Sequence, residues 1–340
     1  MNATRYVLLC IPFALCAGAL WSCRPADKRQ VVVYAALDQE FSEPVLKEFE
    51  RQTGIAVRAV YDIESTKTVG LYQRILREKE QPLCDLFWNN EIMHTLQLEE
   101  QGLLEAYRPK EAGAFPETFV SPEGYWTGFA GRARVLLVNR QALGDEPLPR
   151  SVRDLADPHW EGRAGIARPL FGTTATHAAV LFSKWGDEEA SRFFQQVAAH
   201  AAVFSGNKQV ALAVSSGKIA FGLTDTDDAA IEIAKGGPVQ IIWPDQDEQG
   251  IGTLLIPNTV AIVKSCRHPQ EARLLAEFLL SSSTESLLAK ADSRQIPLRK
   301  DASVWPSLPG VEKVRWMEVD FREAARLWPQ IAPRLQEWFR

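Results

Sequence analysis

Apolar residues recur along this chain in two alternating rhythms, and the alternation is the first clue to its architecture. Val31–Ala36 is a continuous apolar run bounded by polar residues, which predicts a buried strand. Glu43–Thr53 follows with Val45, Leu46 and Phe49 at helical spacing and stops at Gly54. Ile55–Tyr61 alternates as a second strand, Thr68–Lys79 reads as another helix, and Cys84–Trp88 as a third short strand. A Pro- and Gly-rich loop over Tyr107–Gly128 precedes a strand at Arg134–Asn139. A second region then repeats the alternation: Gly165–Ala167, helices over Thr176–Lys184 and Glu188–His200, and a strand at Ile219–Leu223. Thr253–Lys264 reads as a long strand pair leading back towards the first region. Helices at Pro269–Leu280 and Glu285–Ala291 and an amphipathic, Trp-rich tail from Val311 complete the pattern. Strands alternating with helices predict parallel sheet covered by helices, an α/β fold. With 340 residues, two lobes fit comfortably.

The N-terminus obeys a different rule. Arg5 is followed by the apolar run Tyr6–Trp21 and then Ser22-Cys23. That order reads as a secretory signal over residues 1–22. The ending Leu20-Trp21-Ser22-Cys23 resembles a bacterial lipobox, which implies lipidation of Cys23; a plain signal peptide or an uncleaved anchor are the other readings. No later segment approaches the roughly 18 continuous apolar residues of a spanning helix. The expectation is an exported protein, periplasmic or at the cell surface, that touches a membrane only through its lipid anchor.

Composition narrows the partners. Hydrophobic residues make up 46% and charged residues 24%, which excludes a disordered, collagenous or coiled-coil chain. A net charge of -5 without a basic stripe argues against nucleic acid. Of five cysteines, Cys10 and Cys16 leave with the signal and Cys23 is the lipidation site. Cys84 and Cys266 are expected as isolated buried thiols. There is no G-x-S-x-G, H-E-x-x-H, Walker loop or Rossmann fingerprint. Ser215–Lys218 fits S-x-x-K but lacks partner motifs and reads as a turn, and the five histidines show no metal-ligand spacing. The chain is expected to be no enzyme and to carry no cofactor.

Three stretches together carry a family resemblance. Val33-Tyr34 with the helix ending EFERQTGIAV, the run LPRSVRDLADPHWEGRAGIA (Leu148–Ala167), and FLLSSSTESLLAKADSRQIPLR (Phe278–Arg299) resemble segments of periplasmic solute-binding proteins. The nearest branch is the ferric-ion-binding-protein-like receptors of ABC transporters, and the resemblance covers nearly all of residues 30–300. It implies a type II, two-lobed periplasmic-binding-protein fold with a ligand cleft between lobes joined by a two-strand hinge. Lobe 1 would comprise residues 28–131 with 254–300 returning to it, lobe 2 residues 132–253, and residues 301–340 a C-terminal helical segment. The implied partners are a small ligand or ion and an inner-membrane ABC permease, with the receptor monomeric.

In ferric-binding relatives two consecutive tyrosines on a second-lobe loop hold the metal. Here the matching positions are Thr226 and Asp227, and the tyrosine pair is absent. The relatives' histidine falls on Asp38 and their acidic ligand near Asn90-Glu91. Asp38, Glu91, Asp225 and Asp227 are therefore the candidate ligands for a hard cation such as iron(III), with Asp228 nearby. The same DTDD run also suits a helix start. Ser65 and Thr66 before one helix, and Thr173 and Thr174 before another, are candidate anion seats at helix N-termini, or ordinary caps. Arg132 resembles the family arginine that holds an anion at the cleft, whereas Arg134 is expected to point to solvent. Trp88, Tyr125, Trp126 and Trp243 are candidate cleft aromatics, and His177 sits near the threonine cluster. These signals suit iron(III) or another hard cation, possibly with a synergistic anion. They also leave open an anionic organic solute such as a phosphonate or sugar phosphate, or a ligand sensor signalling to a membrane kinase.

Overall fold

The computed structural model describes residues 29–62 and 68–340. Lobe 1 opens with β1 (Gln30–Ala35), α1 (Gln39–Thr53), β2 (Ala56–Tyr61), α2 (Val69–Arg77), β3 (Leu86–Asn89) and α3 (Met93–Glu100). β1 pairs in parallel with β2 and β3, as β–α–β crossovers require. α1 ends where Gly54 takes φ 69 and returns its N–H to Glu50 O. The chain then enters β4 (Thr127–Asn139), whose thirteen residues are all buried.

Lobe 2 contains α4 (Arg140–Leu143), β5 (Ala164–Ala167), α5 (Gly172–Trp185), α6 (Asp187–His200), β6 (Ala202–Phe204) and α7 (Asn207–Ser215). It continues with β7 (Phe221–Asp225), α8 (Thr226–Ala234) and β8 (Val239–Ile242). β9 (Leu255–Ile262) returns to lobe 1, followed by α9 (Pro269–Leu279), α10 (Ser282–Lys290) and α11 (Phe321–Trp338). The strand order among the described residues is β2-β1-β3-β9-β4-β7-β5-β6, with β8 also on β4.

β4 joins the two halves. Its first part pairs with β9 and its last part with β7 and β8. Between Phe129 and Arg132 the β4–β9 register slips, and Ala130 there has φ 41. That left-handed geometry is costly for alanine and is held from both sides. Ala130 N donates to the buried Glu285 carboxylate at 2.8 Å, and Gly131 and Ile296 exchange backbone bonds of 2.7 Å. The Glu285 carboxyl is pushed up by burial, against the pull of its backbone donors.

Several boundaries differ from the sequence reading. Thr253–Lys264 contains one strand rather than a pair, and the strand expected at Arg134 begins at Thr127. α5 begins at Gly172 and not Thr176, so Thr173 and Thr174 lie inside its first turn rather than before it. β6, α7 and β8 were not anticipated; all are short, with too few periods for a pattern to emerge. No helix among the described residues is long and apolar enough to cross a membrane. Residues 1–22, Cys23, Ser65 and Thr66 lie outside the described residues.

Candidate functional site

The site is built by strand register. In the antiparallel β4–β7 ladder Arg134 lies directly opposite Asp225, so the two side chains share a face. Arg134 Nη1 meets Asp225 Oδ1 at 2.6 Å with both groups buried. Two residues back along β4 and two forward into α8, Arg132 Nη1 meets Asp227 Oδ2 at 3.0 Å. Between them Ala133 N donates to Thr226 Oγ1 at 3.1 Å, closing the ladder as the chain turns from strand to helix.

Both arginines are buried at the hinge, which corrects the expectation that Arg134 faces solvent. On a strand, positions i and i+2 share a face, so a cleft-facing Arg132 carries Arg134 with it. Burial opposes the Arg132 charge, but Asp227, Asp225, Asp38 and Asp228 outweigh it and raise the guanidinium pKa. Four carboxylates face two guanidinium groups, so the cluster keeps an excess of negative charge. Asp225, Asp227 and Asp228 each offer a carboxylate oxygen within 4.8 Å of the others.

The first turn of α5 completes the Arg134 shell. Arg134 donates to Thr173 Oγ1 at 3.3 Å, Thr174 Oγ1 at 3.2 Å and Asn207 Oδ1 at 3.1 Å. Thr173 donates in turn to Asp225 Oδ2 at 2.6 Å, and Asn207 Nδ2 donates to the same oxygen at 3.0 Å. Neither α5 nor α7 has a side-chain cap, and the first residues of both helices line the same small cavity. The threonines are thus side-chain ligands of a charged group, not caps.

Lobe 1 contributes less than expected. Asp38 is the half-buried N-cap residue of α1 and one of the carboxylates acting on Arg132. Glu91 is buried and engaged by donors from its own helix start and from α5. It accepts from His94 Nδ1 at 2.7 Å, Met93 N at 2.7 Å, Asn89 Nδ2 at 3.0 Å and Thr176 Oγ1 at 2.7 Å. Burial pushes its carboxyl up, but the imidazole and these donors outweigh burial and hold it below the ordinary range. The residue that lobe 1 does bring to the cleft is Asn90.

Asn90 faces Arg168, Thr173, Thr174, Asn207 and Asp225 across a cavity of about 20 Å³, room for one water-sized or ion-sized guest. A larger groove of about 710 Å³ lies nearby between α2, α3 and α11, lined by Tyr72, Phe171 and Trp328 among others. It is open and mixes amides with aromatics, whereas of the charged cluster Asp225 reaches the small cavity, with Arg168 beside it. The aromatic candidates do not line that cavity: Trp88 packs against Phe129 in a tilted arrangement at 5.5 Å in the core, Trp126 donates to Glu99, and Trp243 donates to Pro309 O. Tyr125 lines a separate pocket beside β9. His177 is buried with neither ring nitrogen partnered, and burial together with Arg134 depresses its pKa well below the usual value.

Asn207 escaped the sequence reading, and Arg134, Asn90 and Thr176 were seen in it but given no part in the site. For Arg134 the signal was present in the i, i+2 relation to Arg132. Asn207 could be suspected only from Ser205-Gly206-Asn207 ahead of a helix, a common arrangement in any protein.

Comparison with known proteins places this geometry in context. The family model described as bacterial extracellular solute-binding protein matches residues 82–324. The major ferric iron-binding protein of Neisseria meningitidis is 26% identical over 293 residues, covering 82% of this chain and 83% of that one. Iron-bound HitA from Pseudomonas aeruginosa superposes with a TM-score of 0.81 at 23% identity, covering 90% of this chain and 99% of that one. AfuA from Actinobacillus pleuropneumoniae, solved with fructose-6-phosphate, superposes at 0.78 and 22% identity, covering 92% and 98%. The structural likenesses establish the two-lobed fold of periplasmic binding proteins, and the family model spans most of the chain. This chain belongs to the bacterial extracellular solute-binding protein family.

Proposed function

We propose that this protein is the exported capture receptor of an ABC importer for iron(III), which it holds between its lobes and presents to an inner-membrane permease. The carrying observation is the β7–α8 turn, where Asp225, Asp227 and Asp228 offer carboxylate oxygens within 4.8 Å of one another and Asp225 also lines an ion-sized cavity. Iron(III) is a hard cation that favours oxygen donors, and the resemblance to ferric-binding relatives supports the assignment. Asp38 adds a carboxylate from the facing lobe. Arg168 and the uncapped starts of α5 and α7 suit a synergistic anion. In this reading Asp227, at one of the two tyrosine positions, and Asp225 beside them supply the oxygens that the tyrosine pair gives in the relatives, and Arg132 and Arg134 hold them in place.

We place the lobe boundary at the β4 bulge, giving residues 28–131 with 254–300 to lobe 1 and 132–253 to lobe 2. We further propose cleavage before Cys23, its lipidation, and function as a monomer in the periplasm or at the cell surface.

One observation favours a second reading. Arg168, Thr173, Thr174 and Asn207 around the small cavity also suit a phosphate group, and the fructose-6-phosphate-bound neighbour shares the fold. The test is thermal unfolding of the chelator-stripped mature protein with ferric citrate, divalent cations, phosphate, phosphonates and sugar phosphates. A ligand at about 100 times its Kd adds about 2.7 kcal/mol. Stabilisation by ferric citrate and not by citrate alone supports the iron reading; stabilisation by phosphorylated organics alone replaces it with the second.

A further inference from the structure

α3 of lobe 1 is gripped at both ends by lobe 2 or by the C-terminal helix, each time through a buried carboxylate. At its start, Thr176 of α5 donates to Glu91 at 2.7 Å. At its end, Arg322 in the first turn of α11 forks onto Glu99, with Nη1 to Oε2 at 2.8 Å and Nη2 to Oε1 at 3.1 Å. Glu99 is itself fixed by Ser121 Oγ at 2.8 Å and Trp126 Nε1 at 3.0 Å. Its position therefore belongs rigidly to lobe 1.

Beyond its first turn α11 is anchored on lobe 2. Arg334 pairs with Asp187 and Ser191 of α6, and Phe339 packs on Phe194 at 6.3 Å between ring centroids. The segment leading into α11 is bonded to the end of lobe 2, through Thr253 N to Arg315 O and Met317 N to Thr253 O. Any rotation of the lobes about the β4–β9 crossing carries Thr176 and Arg322 away from Glu91 and Glu99 together. Such a motion would break these two contacts and the exposed, looser Lys208–Glu40 pair at 3.5 Å, and leave the hydrogen bonds inside each lobe intact.

We infer that Thr176–Glu91 and Arg322–Glu99 form a two-point latch across the lobe boundary, and that these four are positioning residues which set how long the closed receptor retains its ligand. The latch rests on the receptor reading above, but opening can be measured without any ligand. A bond present only in the closed state slows release and leaves capture unchanged, since capture begins from the open state. Each contact is worth about fivefold in lifetime, the net value of one hydrogen bond, because solvent screens the half-exposed Arg322 and reduces its charged fork to about that level.

The test uses the full mature chain and the variants Thr176→Val, Thr176→Ser, Arg322→Gln and the Val/Gln double variant. The expected result is release of iron, loaded as ferric citrate, about fivefold faster in Thr176→Val and in Arg322→Gln, and about 25-fold faster in the double variant. Association stays at the wild-type rate, and Thr176→Ser, which keeps the donor, releases at the wild-type rate. Small-angle scattering of the ligand-free double variant should show a larger radius of gyration than wild type. An unchanged radius with unchanged release in the folded double variant overturns the latch. If ferric ion binds to none of the proteins, the iron reading fails and the scattering comparison alone decides the latch. Arg322 is partly exposed, so Arg322→Gln keeps a folded test available if Thr176→Val does not fold.

Discussion

Removing the charge of Asp225 while keeping its shape tests the reasoning about the hinge most directly. In Asp225→Asn the Arg134 guanidinium stays in place, buried, with its strongest partner made neutral. Breaking a buried ion pair from one side costs about 3–5 kcal/mol, because the remaining charge keeps its desolvation penalty without its counter-charge. The asparagine carbonyl can still accept from Nη1, and Thr173, Thr174 and Asn207 still bond the fork, which places the loss near the lower end, about 3 kcal/mol. Arg134→Met should lose a similar amount, leaving Asp225 with only Thr173 and Asn207 as donors. The double variant carries neither charge and should lose about 3 kcal/mol rather than 6, a coupling near 3 kcal/mol. Urea unfolding of the mature chain, followed by tryptophan fluorescence and analysed as a double-mutant cycle, reads this directly. Losses that add to within about 0.5 kcal/mol would show that the two groups act independently and would refute the paired-charge account.

Other predictions are simpler to measure. His177 is held neutral in the fold, so its contribution is complete above the unfolded pKa of 6.5 and is lost as pH falls. One such group steepens acid destabilisation by about 1.4 kcal/mol per pH unit below that point; His177→Leu should flatten the slope between pH 6.5 and 5, and an unchanged slope would exclude His177 as its source. A Cβ at Gly222 would stand 2.4 Å from Val210 Cγ1 and 3.0 Å from Gly165 O, so Gly222→Ala should cost about 1–3 kcal/mol by overpacking; an unmoved urea midpoint would contradict it. Burial pushes the Cys84 thiol far up and that of Cys266 to about 12, so both should resist iodoacetamide in the folded chain at pH 8 and react on unfolding. Rapid alkylation of either thiol in native protein, seen by intact mass, would count against that burial.

Most of the fold was legible because its strands and helices are patterned locally. Val31–Ala36 and Glu43–Gly54 carry strand, helix and stop signals within a few residues of each other, and the structure follows them closely. The short β6 and β8 and the early start of α5 were not legible. Three or four residues give no period, and Gly172-Thr173-Thr174 looks like a cap until the helix is seen to include it. The single β9 was misread as a pair because the apolar run Thr253–Lys264 outlasts the strand that uses it.

The acids and hydroxyls of the site were likewise visible as residue types, but their roles were not. Glu91 and Asp225 look alike along the chain. In the fold Glu91 closes on its own helix start and on Thr176, while Asp225 faces Arg134 across a ladder from a strand 91 residues earlier. Sequence by itself determined what local interactions encode: the alternation of strands and helices, the charge balance, and the family segments spaced along the chain. Tertiary structure alone decided which carboxylates are already satisfied, which arginines are buried, and which bonds cross from one lobe to the other. Those depend on strand register and lobe closure, which bring together groups far apart in the chain, and no local pattern records a contact between residues that are neighbours only in space.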